Sequence, residues 1–346
     1  MRRFKILKTG KLTWIRYQRY NQFMKRVLSG IQPSGKIHLG NYLGAIRQHI
    51  EMQDKFECFF FIADLHALTT VRNPQLMREN TLNLALDYLA LGLDPEKTVF
   101  FKQSDIPEHS ELAWIFDCIT PMGLLERSHA WKDARAKGIK DATVGLFNYP
   151  ILMAADILMY KPDLVPVGQD QKQHVEIARD TALAFNRYFG ETFKLPEPFI
   201  KEDTAIVRGT DGINKMSKSY KNTIDVFADE KTLQKQIMSI VTDSTPVEQP
   251  KDPEKCTILH LYKYFATPEE SSALAKKYKA GGFGYGDAKK ELFKKLLEYF
   301  GPARKKRVEL QKNLSYVNTV LEKGAARARY IASQTIAEVR QKIGTR

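Results

Sequence analysis

Cysteine is scarce in this chain of 346 residues, and the three present, Cys58, Cys118 and Cys256, are widely spaced with no C-x-x-C pair. That excludes a disulfide framework and the paired-thiolate spacing of zinc or iron–sulfur sites, so no structural metal is expected, and it favours a reducing compartment. Long apolar runs are lacking too. The longest, Cys58-Phe59-Phe60-Phe61-Ile62-Ala63, falls far below the roughly 20 residues a membrane-spanning helix needs, so no membrane partner is expected. Acid is missing altogether from residues 1–23, which hold seven of the basic residues. Serine and an apolar core are missing there as well, so the stretch fits neither a transit peptide nor a secretory signal. It reads as a basic N-terminal extension, disordered or not native, and no function is assigned to it.

What is present is ordinary for a globular chain: 43% hydrophobic and 27% charged residues, at a length that favours two domains. The formal charge of +14, of which +7 lies beyond residue 23, points to a polyanionic partner. Apolar runs of strand length alternate with helical spacing. Lys25–Ser29, Glu57–Ala63, Thr98–Lys102 and Leu164–Val167 read as strands, and the continuous apolar run over Glu57–Ala63 suits a parallel strand covered on both faces. Helical patterns follow at Gly40–Met52 and Gln75–Leu91, the latter stopping at Gly92 with Pro95 beyond. The expected fold is α/β, a doubly wound parallel sheet over residues 24–224, in which ligands meet the carboxyl ends of strands. Beyond that point lysine-rich amphipathic segments replace the alternation, and residues 225–346 read as an all-helical domain with helices breaking at Pro302.

Two motifs carry chemistry. Pro33-Ser34-Gly35-Lys36-Ile37-His38-Leu39-Gly40-Asn41 sets a His and an Asn around a glycine where a strand gives way to a helix, which suits phosphate oxygens. Lys215-Met216-Ser217-Lys218-Ser219 places two lysines on a loop suited to a polyphosphate that gains charge during reaction. A third pattern is Tyr149, Met153 and Asp156, spaced to share one face of a helix that Pro150 is suited to start. A carboxylate among Leu152, Met153, Ile157 and Leu158 is costly to bury without a donor, and a ligand N–H is an economical one.

The first motif resembles the HIGH signature of class I aminoacyl-tRNA synthetases, with Asn41 in place of its last His, and the second matches their KMSKS loop. Ser29-Gly30-Ile31-Gln32-Pro33-Ser34-Gly35 and Asn41-Tyr42-Leu43-Gly44-Ala45 resemble the tryptophanyl branch of that family. The resemblance implies a Rossmann-like, HUP-type catalytic domain and a helical domain that recognises a tRNA anticodon. It also implies activation of L-tryptophan by ATP, followed by transfer to tRNA(Trp), with Mg²⁺ as helper, in a cytoplasmic homodimer.

By that resemblance Gln32, Pro33, Ser34, Gly40, Asn41, Gly168, Gln169, Asp170, Val207, Lys215, Met216, Ser217, Lys218 and Ser219 hold ATP. His38, Lys215 and Lys218 serve the transition state. Tyr149, Met153, Asp156, Val165, Val167, Gln171 and His66 form the tryptophan pocket, with Met153 where tyrosyl relatives carry a glutamine that binds a phenol hydroxyl. Asp170 also suits a helix N-cap. Departures from the branch are Gln169 where Glu is usual, Leu65 where bacterial members often carry Gln, and no clean counterpart of a catalytic lysine near Arg127–Lys132. Lys132 and Arg135 are the candidates there.

Overall fold

A computed structural model describes residues 24–136, 138, 142–200 and 207–346. The extension expected at 1–23 lies outside them. Five parallel strands form one sheet: β1 (Arg26–Ile31), β2 (Glu57–Ile62), β3 (Thr98–Lys102), β4 (Leu164–Pro166) and β5 (Glu197–Phe199), in the order β3-β2-β1-β4-β5. All six residues of β2 are buried, as a strand covered on both faces requires. β5 escaped the sequence reading because three residues centred on Pro198 carry no periodicity.

Strand order reverses between β1 and β4, which pair through Val27 and Leu164. Connections leave that point in opposite directions, so a crevice opens beyond the carboxyl ends of these two strands. Gln32 and Pro33 follow β1, and Val167 and Gly168 follow β4.

The core of the sheet joins Leu28, Phe59, Phe61, Phe101 and Val165 to the helices Glu108–Asp117, Val144–Met159 and Lys172–Phe189. It also takes in Ala328, Ala332, Ile336 and Val339 from the helix Leu314–Lys342. That last helix seats itself on the edge strand β3 by close approach: a Cβ on Gly324 would fall 1.7 Å from the Phe100 carbonyl oxygen. Thr335 Oγ1 donates to the Met159 carbonyl (2.8 Å) and Arg327 to that of Pro95 (2.9 Å). A covered edge cannot recruit another strand.

Compactness groups the chain otherwise than a linear division at residue 225. One unit takes in the described residues up to Gly35 with those of His49–Glu202 and Asn313–Arg346; the other joins Lys36–Gln48 to those of Asp203–Lys312. In the second unit Tyr42 explains the grouping. Its hydroxyl bonds that of Tyr299 (2.8 Å) and its ring packs on Phe265 and Phe300.

Two prolines behave differently from expectation. The helix Val144–Met159 starts six residues before Pro150, with Thr143 Oγ1 accepting the Leu146 N–H (3.2 Å) as its cap, so Pro150 is internal. The helix Tyr285–Gln311 runs through Pro302, where the sequence predicts a break. Interior proline costs about 3 kcal/mol. Anchors on either side offset it: Phe300 is buried and Arg304 donates to the carbonyls of Val226 (2.8 Å) and Ala228.

Candidate active site

Residues 36–48 and the lysine loop, far apart in sequence, lie in the same compact unit. Leu39 N–H donates to Ile224 O (2.9 Å) and Val226 N–H to Ile37 O (3.0 Å), so the segment bearing His38 pairs antiparallel with the one after the loop. Helical turns then run through Leu39–Asn41, Tyr42–Ile46 and Arg47–Met52, the middle one a π turn, where the sequence predicts a single helix. Such turns recur at functional sites.

His38 caps this run. Asn41 N–H donates to His38 Nδ1 (3.3 Å), and His38 N–H donates to Asn41 Oδ1 (3.2 Å). Burial first, then the charge of Lys218, lower the His38 pKa to about 4 against a raising effect of Asp225, with Lys215 adding the smallest lowering. The imidazole is therefore neutral at pH 7. Because Nδ1 accepts, its one proton sits on Nε2 as a donor.

The loop is a short antiparallel ribbon. Met216 N–H donates to Val207 O (2.8 Å), Arg208 bridges Lys215, and Met216 and Val207 are buried. A Cβ on Gly40 would meet the Met216 Cβ at 3.3 Å, which brings the two motifs together. Lys215, Lys218 and Ser219 are exposed, and Ser217 Oγ bonds Ser219 Oγ (2.8 Å).

The sheet unit holds the remaining expected residues. Asp156 is fully buried, and three protein side chains supply the donors that the sequence argument sought in a ligand. His66 Nε2 reaches Oδ2 (2.7 Å), His109 Nδ1 reaches Oδ1 (2.5 Å), and Gln103 Nε2 reaches both oxygens (2.8 and 2.9 Å). Burial raises the Asp156 pKa, but hydrogen bonds from His109 and His66 outweigh it and bring it down to about 2. An ionised carboxylate only accepts, so both imidazole nitrogens facing it carry protons. His109 Nε2 in turn bonds the Tyr160 hydroxyl (2.7 Å).

Gln103 and His109 were missed by the sequence reading. The carboxyl-end rule applied to β3 names Gln103, the next residue; nothing local marks His109. Around the carboxylate, Tyr149 meets His66 edge-on and bonds His174 Nε2 (3.0 Å). Met153 and Val167 are partly buried against the core, and Val165 is buried. Gln169–Gln171 form a 3-10 turn after Gly168, and the N-cap of the helix Lys172–Phe189 is Gln171, not Asp170, whose side chain lies outside the described residues. Gln32 and Ser34 are exposed and Pro33 buried. Lys132 and Arg135 sit exposed on the helix His129–Ala136.

His49, stacked on Phe60 and bonded to the Tyr88 hydroxyl (2.8 Å), is lowered by burial to about 3. In an unfolded chain both His38 and His49 take up protons near pH 6.5. The unfolded state thus binds more protons below that pH, and folded stability falls as pH drops through 6.5 towards 4. Thermal melts are expected to show a flat Tm from pH 7 to 8 and a decline below 6.5, the His49 share being on the order of a few kcal/mol. A Tm that holds or rises from 6.5 to 4.5 would contradict it.

The chain matches the family of tRNA synthetases class I (W and Y) over residues 22–301. It is 55% identical to a tryptophan–tRNA ligase of Fusobacterium nucleatum over 322 residues, covering 93% of this chain and 98% of that one. A tryptophan–tRNA ligase of Rhodopirellula baltica is 56% identical over 321 residues, 93% and 100% of the two chains. A crystal structure of Campylobacter jejuni tryptophanyl-tRNA synthetase complexed with ADP and tryptophan superposes with a TM-score of 0.88 at 51% identity, covering 92% of this chain and 99% of that one.

Proposed function

The chain belongs to the class I tRNA synthetases of the tryptophan and tyrosine branch, and from that premise we infer how its residues share the work of a tryptophan–tRNA ligase. It activates L-tryptophan with ATP to tryptophanyl-adenylate and pyrophosphate, then transfers the tryptophan to tRNA. The carboxylate oxygen of tryptophan attacks the α-phosphorus, and the bond to the β-phosphate oxygen breaks as pyrophosphate leaves. Positioning and charge stabilisation suffice for such a step; no protein nucleophile is needed.

His38 Nε2–H, Gly40, Asn41, Val207 and the loop residues Lys215 to Ser219 serve the phosphates in this reading. Gln32, Pro33, Ser34, Gly168, Gln169 and Asp170 serve the rest of the nucleotide. Mg²⁺ would be carried by the nucleotide's polyphosphate and would neutralise its charge there.

The observation that carries the choice of tryptophan is the buried Asp156 anion on the helix that also bears Tyr149 and Met153. Gln103 Nε2 spans both of its oxygens, so one can take an indole N–H while Gln103 keeps the other. His66, Val165, Val167 and Gln171 complete that pocket. A homodimer, a cytoplasmic location and anticodon recognition by the helices after residue 225 are further parts of the proposal. No helix among the described residues is long and apolar enough to cross a membrane.

Purified protein is expected to catalyse ATP–pyrophosphate exchange that depends on tryptophan. Equal exchange with tyrosine, or none with any amino acid, would overturn the reading.

A further inference from the structure

Three residues past the signature pentapeptide, Asn222 is only 2% exposed although its neighbours Lys221 and Thr223 reach the surface. Its side chain grips the loop on both sides of Met216. Asn222 Oδ1 accepts the Ser217 N–H (2.7 Å), while Nδ2 donates to the Lys215 carbonyl (3.2 Å) and to Asp211 Oδ2 (3.0 Å). The orientation of the amide is unambiguous: flipped, it would set N–H against N–H and oxygen against two oxygens.

Asp211 extends the grip. Its carboxylate also accepts from Ile213 N–H (3.1 Å), Asn214 N–H (3.1 Å) and Asn214 Nδ2 (3.0 Å), and these hydrogen bonds, that of Asn214 foremost, hold its pKa below the usual range. The Asn222 carbonyl accepts from Thr210 N–H (2.9 Å). A Cβ on Gly209 would fall 2.0 Å from Asn222 Nδ2, so the ribbon closes only around a glycine there.

We propose that Asn222, braced by Asp211, is a positioning residue that shapes the lysine loop before ATP arrives. The proposal rests on the reading that Lys215 and Lys218 act on the phosphates. Lys215, Lys218 and Lys221 repel one another, and a loop left to itself would spread them. Asn222 fixes the backbone from Lys215 to Ser217, so the ordering is complete before the transition state forms. Preorganised charge costs no reorganisation at the moment of reaction, and a misplacement of 1 Å is enough for about a hundredfold loss of rate.

Three variants of the full chain test this by ATP–pyrophosphate exchange, with thermal melts alongside. Asn222→Ala is expected to lower kcat/KM for ATP by about ten- to a hundredfold and leave the KM for tryptophan within twofold, because the proposed tryptophan residues belong to the other compact unit. Asn222→Asp sets a carboxylate against Asp211 and the Lys215 carbonyl, with Arg208, Lys215, Lys218 and Lys221 the other charges on this ribbon and loop. Two facing carboxylates cannot both stay ionised, and only the protonated form restores a donor. Its activity relative to wild type should therefore rise as pH falls from 8 to 6.

Adding Asp211→Asn to Asn222→Asp restores one donor–acceptor pair with the roles exchanged, and should recover about tenfold of the loss. A role confined to folding would move melting temperature without this pH profile or this rescue. A folded Asn222→Ala variant with kcat/KM for ATP within threefold of wild type would overturn the proposal. So would an equal rise in the KM for tryptophan, or a double variant no better than Asn222→Asp. Wild-type protein without tryptophan-dependent exchange would instead overturn the assignment of the reaction, and the proposal with it.

Discussion

Alanine at Asp156 is expected to weaken tryptophan binding by about a hundredfold or more and to lower the unfolding free energy by about 3–5 kcal/mol, while ATP affinity changes far less. The size follows from what the carboxylate holds. His66, His109 and Gln103 all donate to it in a site closed to water, and its removal strands those donors together. An unsatisfied buried donor costs about 1–3 kcal/mol. Asn at the same position keeps the volume and one acceptor, but its amide N–H₂ faces an N–H donor, so a loss intermediate between wild type and alanine is expected. Urea melts measure the stability term and calorimetric titration of each ligand the binding term. ATP affinity falling more than tryptophan affinity would sink the assignment of Asp156 to the amino acid.

Lys215→Ala and Lys218→Ala are each expected to lower kcat for exchange by about 10²–10³, the usual result of removing one preorganised partner of developing charge. Tryptophan affinity and melting temperature should hardly change. Both side chains are exposed, and surface substitutions of that kind usually stay within about 0.5 kcal/mol. A second signature separates the two. Lys218 is the larger of the two lysine contributions that keep the His38 pKa low, so removing it should let that pKa rise from about 4, visible in an NMR titration of His38. Full kcat in either variant would show that the loop charge is not used in the reaction.

How much of this was legible in advance differs from element to element. The strands β1 to β4 were readable because a parallel strand covered on both faces leaves a run of apolar residues, as in Glu57–Ile62. β5 was not, since three residues around a proline carry no such run. The interior prolines were misread for one physical reason. Proline disfavours a helix locally, but Pro302 lies between the buried ring of Phe300 and the hydrogen-bonded Arg304, and packing of that kind exceeds the local penalty. Asp156 was correctly expected to be partnered; the identity of its partners was not. His66 is 90 positions away along the chain and His109 is 47 away.

The sequence by itself determined the parallel sheet, the two motifs around His38 and Lys215, and the helix face bearing Tyr149, Met153 and Asp156. Periodicity and spacing are enough for these because they record which side of an element is buried and which residue types stand together. Only the tertiary structure decided the rest. Lys36–Gln48 joins the unit of the lysine loop, and the last helix closes the sheet at β3 through Gly324. Asn222 holds Lys215 and Ser217, and Asp156 accepts from His66, His109 and Gln103. Each is a pairing between groups brought within hydrogen-bond or van der Waals distance by the closure of the chain, and a buried polar group records its need for a partner without recording which element will supply it.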